Sequence, residues 1–264
     1  MDSREAGAYW DRNADAWAKL SRAGHDVYRD SFNTPAFLGL LPDVDGLEGL
    51  DIGCGEGHNT RQVARRGARM TGVDIAEGFI RHAKAEESGM PLGIEYAVAD
   101  ACSLPFDDER FDFVTAFMSL MDVPTPERAI AEAHRVLRPD GFLQFSITHP
   151  CFDTLHRANL RDEAGTTYAI EVGRYFDRED GRMTRWLFSS APEEAKRGLS
   201  LFEVPRFTRT ISEWFNMLIE AEFVVDCVSE PRPSDETVRA YSAVQDAQVV
   251  AYFLHVRVRK SPSR

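Results

Sequence analysis

Between residues 50 and 60 the chain reads LDIGCGEGHNT, with Gly53, Gly55 and Gly57 following closely on Asp51. Glycine costs backbone entropy, so such density implies a loop that something else approaches closely. Dinucleotide loops follow GxGxxG, whose third glycine permits close helix–strand packing while the pyrophosphate meets the helix N-terminus. Here the place of that third glycine is held by His58, and the spacing is Asp-x-Gly-x-Gly-x-Gly. A carboxylate, Asp74, lies 19 residues after Gly55, and another, Asp100, closes a later apolar run. His149, in SITHPCF, adds a group whose ordinary pKa of ~6.5 suits a base at neutral pH.

These residues fall at the ends of regularly alternating elements. GLEGLDIG reads as a buried strand and NTRQVARRG as a short helix stopped by Gly67. ARMTGVDI is a strand, EGFIRHAKAEESG a helix, and IEYAVAD and FDFVTAFM are strands. In TPERAIAEAHRVLRPDG, Thr125 is the expected N-cap and Pro126 the first helical residue, with a stop at the Pro139–Gly141 turn. GFLQFSIT is a fifth strand. Strand–helix alternation predicts a parallel sheet with helices on both faces. Ligands of such sheets bind at the carboxyl ends of the strands, where the glycine loop, Asp74, Asp100 and His149 all fall.

The flanks differ. Residues 6–20 place Ala6, Tyr9, Trp10, Asn13, Trp17 and Leu20 at helical spacing. A less regular segment follows, closed by Pro42. EVGRYFD and RMTRWLF around REDG predict an antiparallel hairpin, with LSLFEVPRF as a third strand. TISEWFNMLIEAEF predicts a helix starting near Thr210 or Ser212. FVVDCVSE and VVAYFLHVRVRK predict two more strands, the last polar at its end and therefore placed at the sheet edge. The organisation expected is one α/β domain: a helical N-terminal cap over 1–45, a core over 46–150, an antiparallel lid insertion over 151–209, and a C-terminal helix with the last two strands over 210–264.

Composition narrows the classes. The formal charge of −12, from 31 basic and 43 acidic residues, lacks the basic stripe of a nucleic-acid binder. Cys54, Cys102, Cys151 and Cys227 form no CxxC pair or zinc spacing and fit reduced thiols of a cytoplasmic protein. MDSREAGAYW is no signal peptide, and no apolar run approaches the ~20 residues of a membrane span. No coiled-coil seam marks an oligomer interface.

Over about residues 47–150 the chain resembles the class I S-adenosylmethionine-dependent methyltransferases that act on small molecules, of the methyltransferase type 11 kind. LDIGCGEG, GVDIAEGFIRHAKA, VADACSLPFDDERFDFV and HRVLRPDGFL carry the resemblance, in that order. It implies a Rossmann-like, seven-stranded, mostly parallel sheet with an antiparallel last strand. The implied cofactor is S-adenosylmethionine, leaving as S-adenosylhomocysteine after direct in-line transfer of the methyl group to an O, N or C atom of a small acceptor.

The resemblance also implies site residues. Gly53 and Gly55 let the backbone approach the methionine part, and Asp51 helps to hold its amino group. Asp74 accepts hydrogen bonds from the ribose hydroxyls, Ile75 packs on the adenine face, Asp100 accepts from the adenine amino group, and the Ala101 N–H serves a ring nitrogen. Phe117 and Met118 end the fourth strand under the sulfonium side. Arg29, from a cap that closes over both ligands, pairs with the cofactor carboxylate. His149, just beyond the fifth strand, is the expected base. Tyr175, Phe176, Trp186, Phe188 and Phe207 of the insertion pack first and line the acceptor pocket second. Arginines such as Arg206 are interleaved with them.

Neighbouring chemistries fit less well. After the fourth strand FMSLMDVP offers a single carboxylate, Asp122, too few for a Mg²⁺-dependent catechol-type site, so no metal is expected. MDVPTP lacks the Asp/Asn-Pro-Pro-aromatic motif of DNA amino-methylating enzymes. Outside the family, a nicotinamide-dependent oxidoreductase would also use Asp74 on ribose but wants glycine where His58 stands. A binding module that kept the cofactor pocket without catalysis is the other alternative.

Overall fold

The computed structural model describes residues 1–261. The chain opens with helix α1, Ser3–Arg22, capped by the Asp2 carboxylate on the Glu5 N–H. A π-helical turn, Arg29–Asn33, leads into α2, Thr34–Leu40. Then come β1, Glu48–Ile52; α3, His58–Ala64; β2, Arg69–Asp74; α4, Glu77–Gly89; and β3, Glu95–Val98. The second half of the core is β4, Phe111–Phe117; α5, Pro126–Val136; and β5, Leu137–Thr148.

These strands and two later ones make a seven-stranded sheet. Its outer strands are β10, Phe223–Ser229, and β11, Phe253–Lys260, and its order is β10-β11-β5-β4-β1-β2-β3. The strands from β3 to β5 run parallel, and β11 is antiparallel to both its neighbours. The chain leaves β1 toward β2 and β3 on one side and returns to β4 and β5 on the other. The switch between β1 and β4 opens a crevice at their carboxyl ends.

Alternation along β4 shows how the sheet is buried on both faces. Val114 joins Leu50, Ile130 and Phe145 in one core, whereas Phe113 joins Val63, Ile80 and Phe37 in the other. Helix α7, Ile211–Glu220, closes the first core with Trp214 and Leu218, and its Thr210–Glu213 capping box fixes where it starts. Among the described residues no helix is long and apolar enough to cross a membrane.

The insertion consists of β6, His156–Arg161; β7, Thr167–Gly173; β8, Asp180–Trp186; the single turn α6, Glu193–Lys196; and β9, Phe202–Phe207. It does not form the expected hairpin across REDG. β7 pairs back with β6, and β8 pairs forward with β9. Arg174 adopts a φ of +59° and bonds Asp177 at 2.7 Å, which turns the chain out of β7 before it could meet β8. The segment after α7 adds α8, Asp235–Ala240, and a 3₁₀ stretch, Ser242–Gln248.

One further expectation is corrected and another is refined. β11 is not an edge strand, because β10 covers it. The polar end that suggested an edge is neutralised by Asp226 of β10, 2.6 Å from Arg257 and 3.2 Å from Arg259. Thr125 occupies the N-cap position of α5 without a side-chain hydrogen bond to the helix; Pro126 sets the start instead.

Candidate active site

A cavity of about 660 Å³ lies over the carboxyl ends of β1, β2, β3 and β4. Its floor is the sheet edge, its roof is α1 and the π-helical turn, and its far wall is the β8–β9 ribbon. The ribbon is tied to the roof by Asn13, whose side chain bonds the Glu203 carbonyl at 2.9 Å and accepts the Glu203 N–H at 3.0 Å. Trp17 adds an apolar seam, packing at 4.8 Å on Phe202 and edge-on at 5.4 Å on Trp186.

The glycine loop turns the chain from β1 into α3. Gly53 and Gly55 adopt φ of +66° and +55°, the region that favours glycine. A Cβ on Gly53 would meet Ser119 Cβ at 2.3 Å, whereas one on Gly55 would meet no protein atom within 4 Å. Asp74, at the end of β2, accepts the Gly55 N–H through one oxygen and the Ala76 N–H through the other, both at 2.9 Å. Burial raises its pKa to about 6 against the lowering by those N–H groups. Asp100 accepts the Cys102 N–H at 2.8 Å, which fixes the tight turn after β3.

Nine of the eleven residues expected to hold the cofactor or act as base line the cavity: Arg29, Gly53, Gly55, Asp74, Ile75, Asp100, Ala101, Phe117 and Met118. Met118 is held there by a φ of +52° at the strand end, and its N–H donates to the Ser146 carbonyl at 2.9 Å. Arg29 reaches the wall already engaged, with its Nε 2.7 Å from Asp30 and 3.8 Å from Asp26.

Asp51 and His149 stand elsewhere. Asp51 is 2% exposed behind the cavity wall. Its carboxylate accepts the Thr60 hydroxyl at 2.6 Å and the Thr115 hydroxyl at 2.8 Å, so it ties β1 to α3 and β4. Burial lifts its pKa to about 6, against those two hydroxyls. His149 is 3% exposed and outside the cavity lining. Its Nδ1 accepts the Cys151 N–H at 3.2 Å and its Nε2 faces Glu230 at 2.8 Å. Its carbonyl accepts the N–H groups of Phe152 and Asp153. Placement just past a strand end suggested a base; the chain instead folds over the ring, and the tight turn it anchors carries Asp153 to the cavity.

Asp122, Asp153 and Arg206 all line the cavity. Arg206 Nη2 lies 3.0 Å from Asp153, and its Nε lies 3.7 Å from Glu179. The sequence marks Asp122 only as a lone carboxylate for a metal and gives no sign of Asp153. The signal for Asp122 was present, since it follows the end of β4 by five residues. That for Asp153 was not, because its position depends on the turn at His149. Among the described residues no group of three or more His, Cys, Asp or Glu side chains could hold a metal ion.

Residues 50–145 match the family model described as a methyltransferase domain. The chain is 39% identical over 129 residues to the ubiquinone biosynthesis O-methyltransferase of Coxiella burnetii, covering 49% of this chain and 53% of that protein. It is 32% identical to the demethylmenaquinone methyltransferase of Thermobifida fusca, covering 54% and 60%. The chain thus spans about half the length of the curated relatives it matches. The crystal structure of the S-adenosylmethionine-dependent methyltransferase from Mesorhizobium loti superposes with a TM-score of 0.69 at 27% identity, over 85% of this chain and 96% of that one.

Proposed function

We propose that this chain, whose residues 50–145 match a methyltransferase domain, moves the methyl group of S-adenosylmethionine onto an O, N or C atom of a small-molecule acceptor. The observation that carries this reading is a single cavity that joins the glycine loop and Asp74 at the sheet edge to an aromatic wall on the lid. The similarity to a protein named ubiquinone biosynthesis O-methyltransferase favours an oxygen acceptor first.

The residues present fit the cofactor. The space beside Gly55 is open on the cavity side and would be filled by any side chain, as a loop that admits a ligand against its backbone requires. When bound, S-adenosylmethionine supplies a methyl group activated on a positively charged sulfur.

The chain's own residues do the rest. Asp74, ionised, offers lone pairs to the ribose hydroxyls while the Gly55 and Ala76 N–H groups hold it in place. Asp100 and the Ala101 N–H read the adenine edge, and Ile75 packs on its face. Gly7 of α1 stands so near Ile75 that a Cβ there would meet it at 2.9 Å, so cap and base wall are fitted to each other. Phe117 and Met118 line the place where the methyl group passes. Arg29 serves a carboxylate only in competition with Asp26 and Asp30. Most of the rate then comes from holding the two reactants in line and away from water. His149 acts from behind as a positioning residue.

Calorimetric titration tests the reading. S-adenosylmethionine and S-adenosylhomocysteine should bind in the micromolar range, and NADH and NADPH should give no heat. Binding of the nicotinamide nucleotides alone would overturn it.

A further inference from the structure

Asp122 ends the 3₁₀ turn Leu120–Asp122 that follows β4, and it lines the same cavity as Phe117 and Met118. No described residue donates a hydrogen bond to it. The charged groups facing it are Arg206 on β9 and Asp153 on the turn after β5. Arg206 is paired with Asp153 and Glu179. Arg209, further along, donates to the Pro124 carbonyl and pairs with Asp180. The other arginine on the cavity wall, Arg29, is engaged by Asp26 and Asp30. Met121, Val204 and Phe207 line the same cavity and add apolar surface to it.

The acceptor side therefore holds one carboxyl group without a partner, and its cations are already matched. Asp122 is half-buried, and a carboxyl group without a hydrogen-bond partner in a cavity marks where a ligand's polar atom belongs. Building on the methyl-transfer reading above, we propose that Asp122 is the catalytic base, and that the acceptor is a neutral or cationic hydroxyl or amine compound with an apolar body. The acceptor's oxygen or nitrogen bonds to the methyl carbon as the carbon–sulfur bond breaks. The electron pair of that bond stays on sulfur, which becomes a neutral thioether, and the O–H or N–H proton passes to the Asp122 carboxylate. A carboxylate or phosphate acceptor would meet Asp122 with no free cation to offset it.

Burial pushes the Asp122 carboxyl up to about 8, with Asp153 adding to the rise and Arg206 opposing it. That value lies near working pH, where a general base is most effective. The lid arginine thus tunes a group on the sheet edge, which makes Arg206 a positioning residue.

Two measurements test the assignment. The first is calorimetry on the protein saturated with S-adenosylhomocysteine, at about pH 8.5, where the carboxyl is mainly ionised, using 2-naphthol, 2-naphthylamine and 2-naphthoate as probes. The naphthol and the amine should bind at least about tenfold more tightly than the naphthoate, and Asp122→Asn should shrink that gap to under about threefold. Equal affinities, or no binding of any probe, overturn the proposal. The second follows ¹³C-labelled aspartate carboxyls by NMR in the unliganded protein. One signal should titrate near pH 8, move up in Arg206→Gln and vanish in Asp122→Asn. Absence of a signal titrating above pH 7 overturns the proposal even if Asp122→Asn does not fold. If S-adenosylhomocysteine itself fails to bind, the methyl-transfer reading falls and takes this one with it. If it binds and the probes are not discriminated, Asp122 alone is misassigned.

Discussion

At Asp74 both carboxylate oxygens accept backbone N–H groups, so the residue shapes the glycine loop as well as facing the cavity. Asp74→Ala should weaken S-adenosylhomocysteine binding by about 1.5–3 kcal/mol, the range for hydrogen bonds to a charged group, measured by calorimetry. Because burial raises this carboxyl to about 6, it is protonated below that pH and loses acceptor capacity. Affinity should fall as pH drops below about 6, by up to about tenfold per pH unit for one proton, and Asp74→Asn should remove that slope. Gly53 and Gly55 separate fold from binding. Gly53→Ala drives a methyl group into Ser119 and should lower the melting temperature. Gly55→Ala, whose added methyl touches no protein atom within 4 Å, costs only the ~1–2 kcal/mol of a left-handed residue and should chiefly abolish cofactor binding. The residues legible in the sequence were those fixed by the backbone of one strand end each. Asp51 and His149 fall outside the cavity lining because their burial depends on neighbours such as Thr60, Thr115 and Glu230, which spacing does not reveal.

Helix α7 illustrates how local signals decide an element. Thr210 accepts the Glu213 N–H, and Glu213 returns the favour to the Thr210 N–H at 2.7 Å. Thr210→Ala should therefore cost about 1 kcal/mol, read from denaturant unfolding, without touching cofactor affinity. That capping box made α7 readable from residue types alone, as the apolar runs did for the core strands. The lid was not readable to the same degree. Its strands present few alternating apolar positions, and pairing was settled by the turn at Arg174 and by contacts to α1 that lie far away in sequence. Trp17 is one such contact, resting on Trp186, Phe188 and Phe202. Trp17→Ala should loosen the β8–β9 ribbon, seen as faster proteolytic cutting within residues 187–201, while the seven-stranded sheet remains folded.

For the molecule as a whole, acid stability turns on a histidine buried within the sheet. His255 is fully buried on β11, with Nε2 2.6 Å from the Asn33 side chain. Burial depresses its pKa to about 4. A depressed histidine contributes stability that is complete above about 6.5 and is lost as pH falls toward the folded value. Wild type should therefore lose up to about 3 kcal/mol more than His255→Gln between pH 7 and 4, in paired thermal melts. Asp26, Asp51 and Asp74, each raised to about 6, act in the opposite sense. They favour the folded state below about 4 and withdraw that support as pH climbs to 6, so the comparison must be made against the variant and not read from wild type alone.

The seam that ties α1 to the lid has an optical consequence. Of the four tryptophans in the chain, Trp10, Trp17 and Trp186 stand on the cavity wall, while Trp214 is 4% exposed beneath the sheet against Phe145. Three indoles thus report on what enters the cavity, against one that provides a constant background. Emission on ultraviolet excitation should shift when S-adenosylhomocysteine is added, with a dye-free readout of occupancy. The shift should survive Trp214→Phe and disappear when the other three are replaced by phenylalanine.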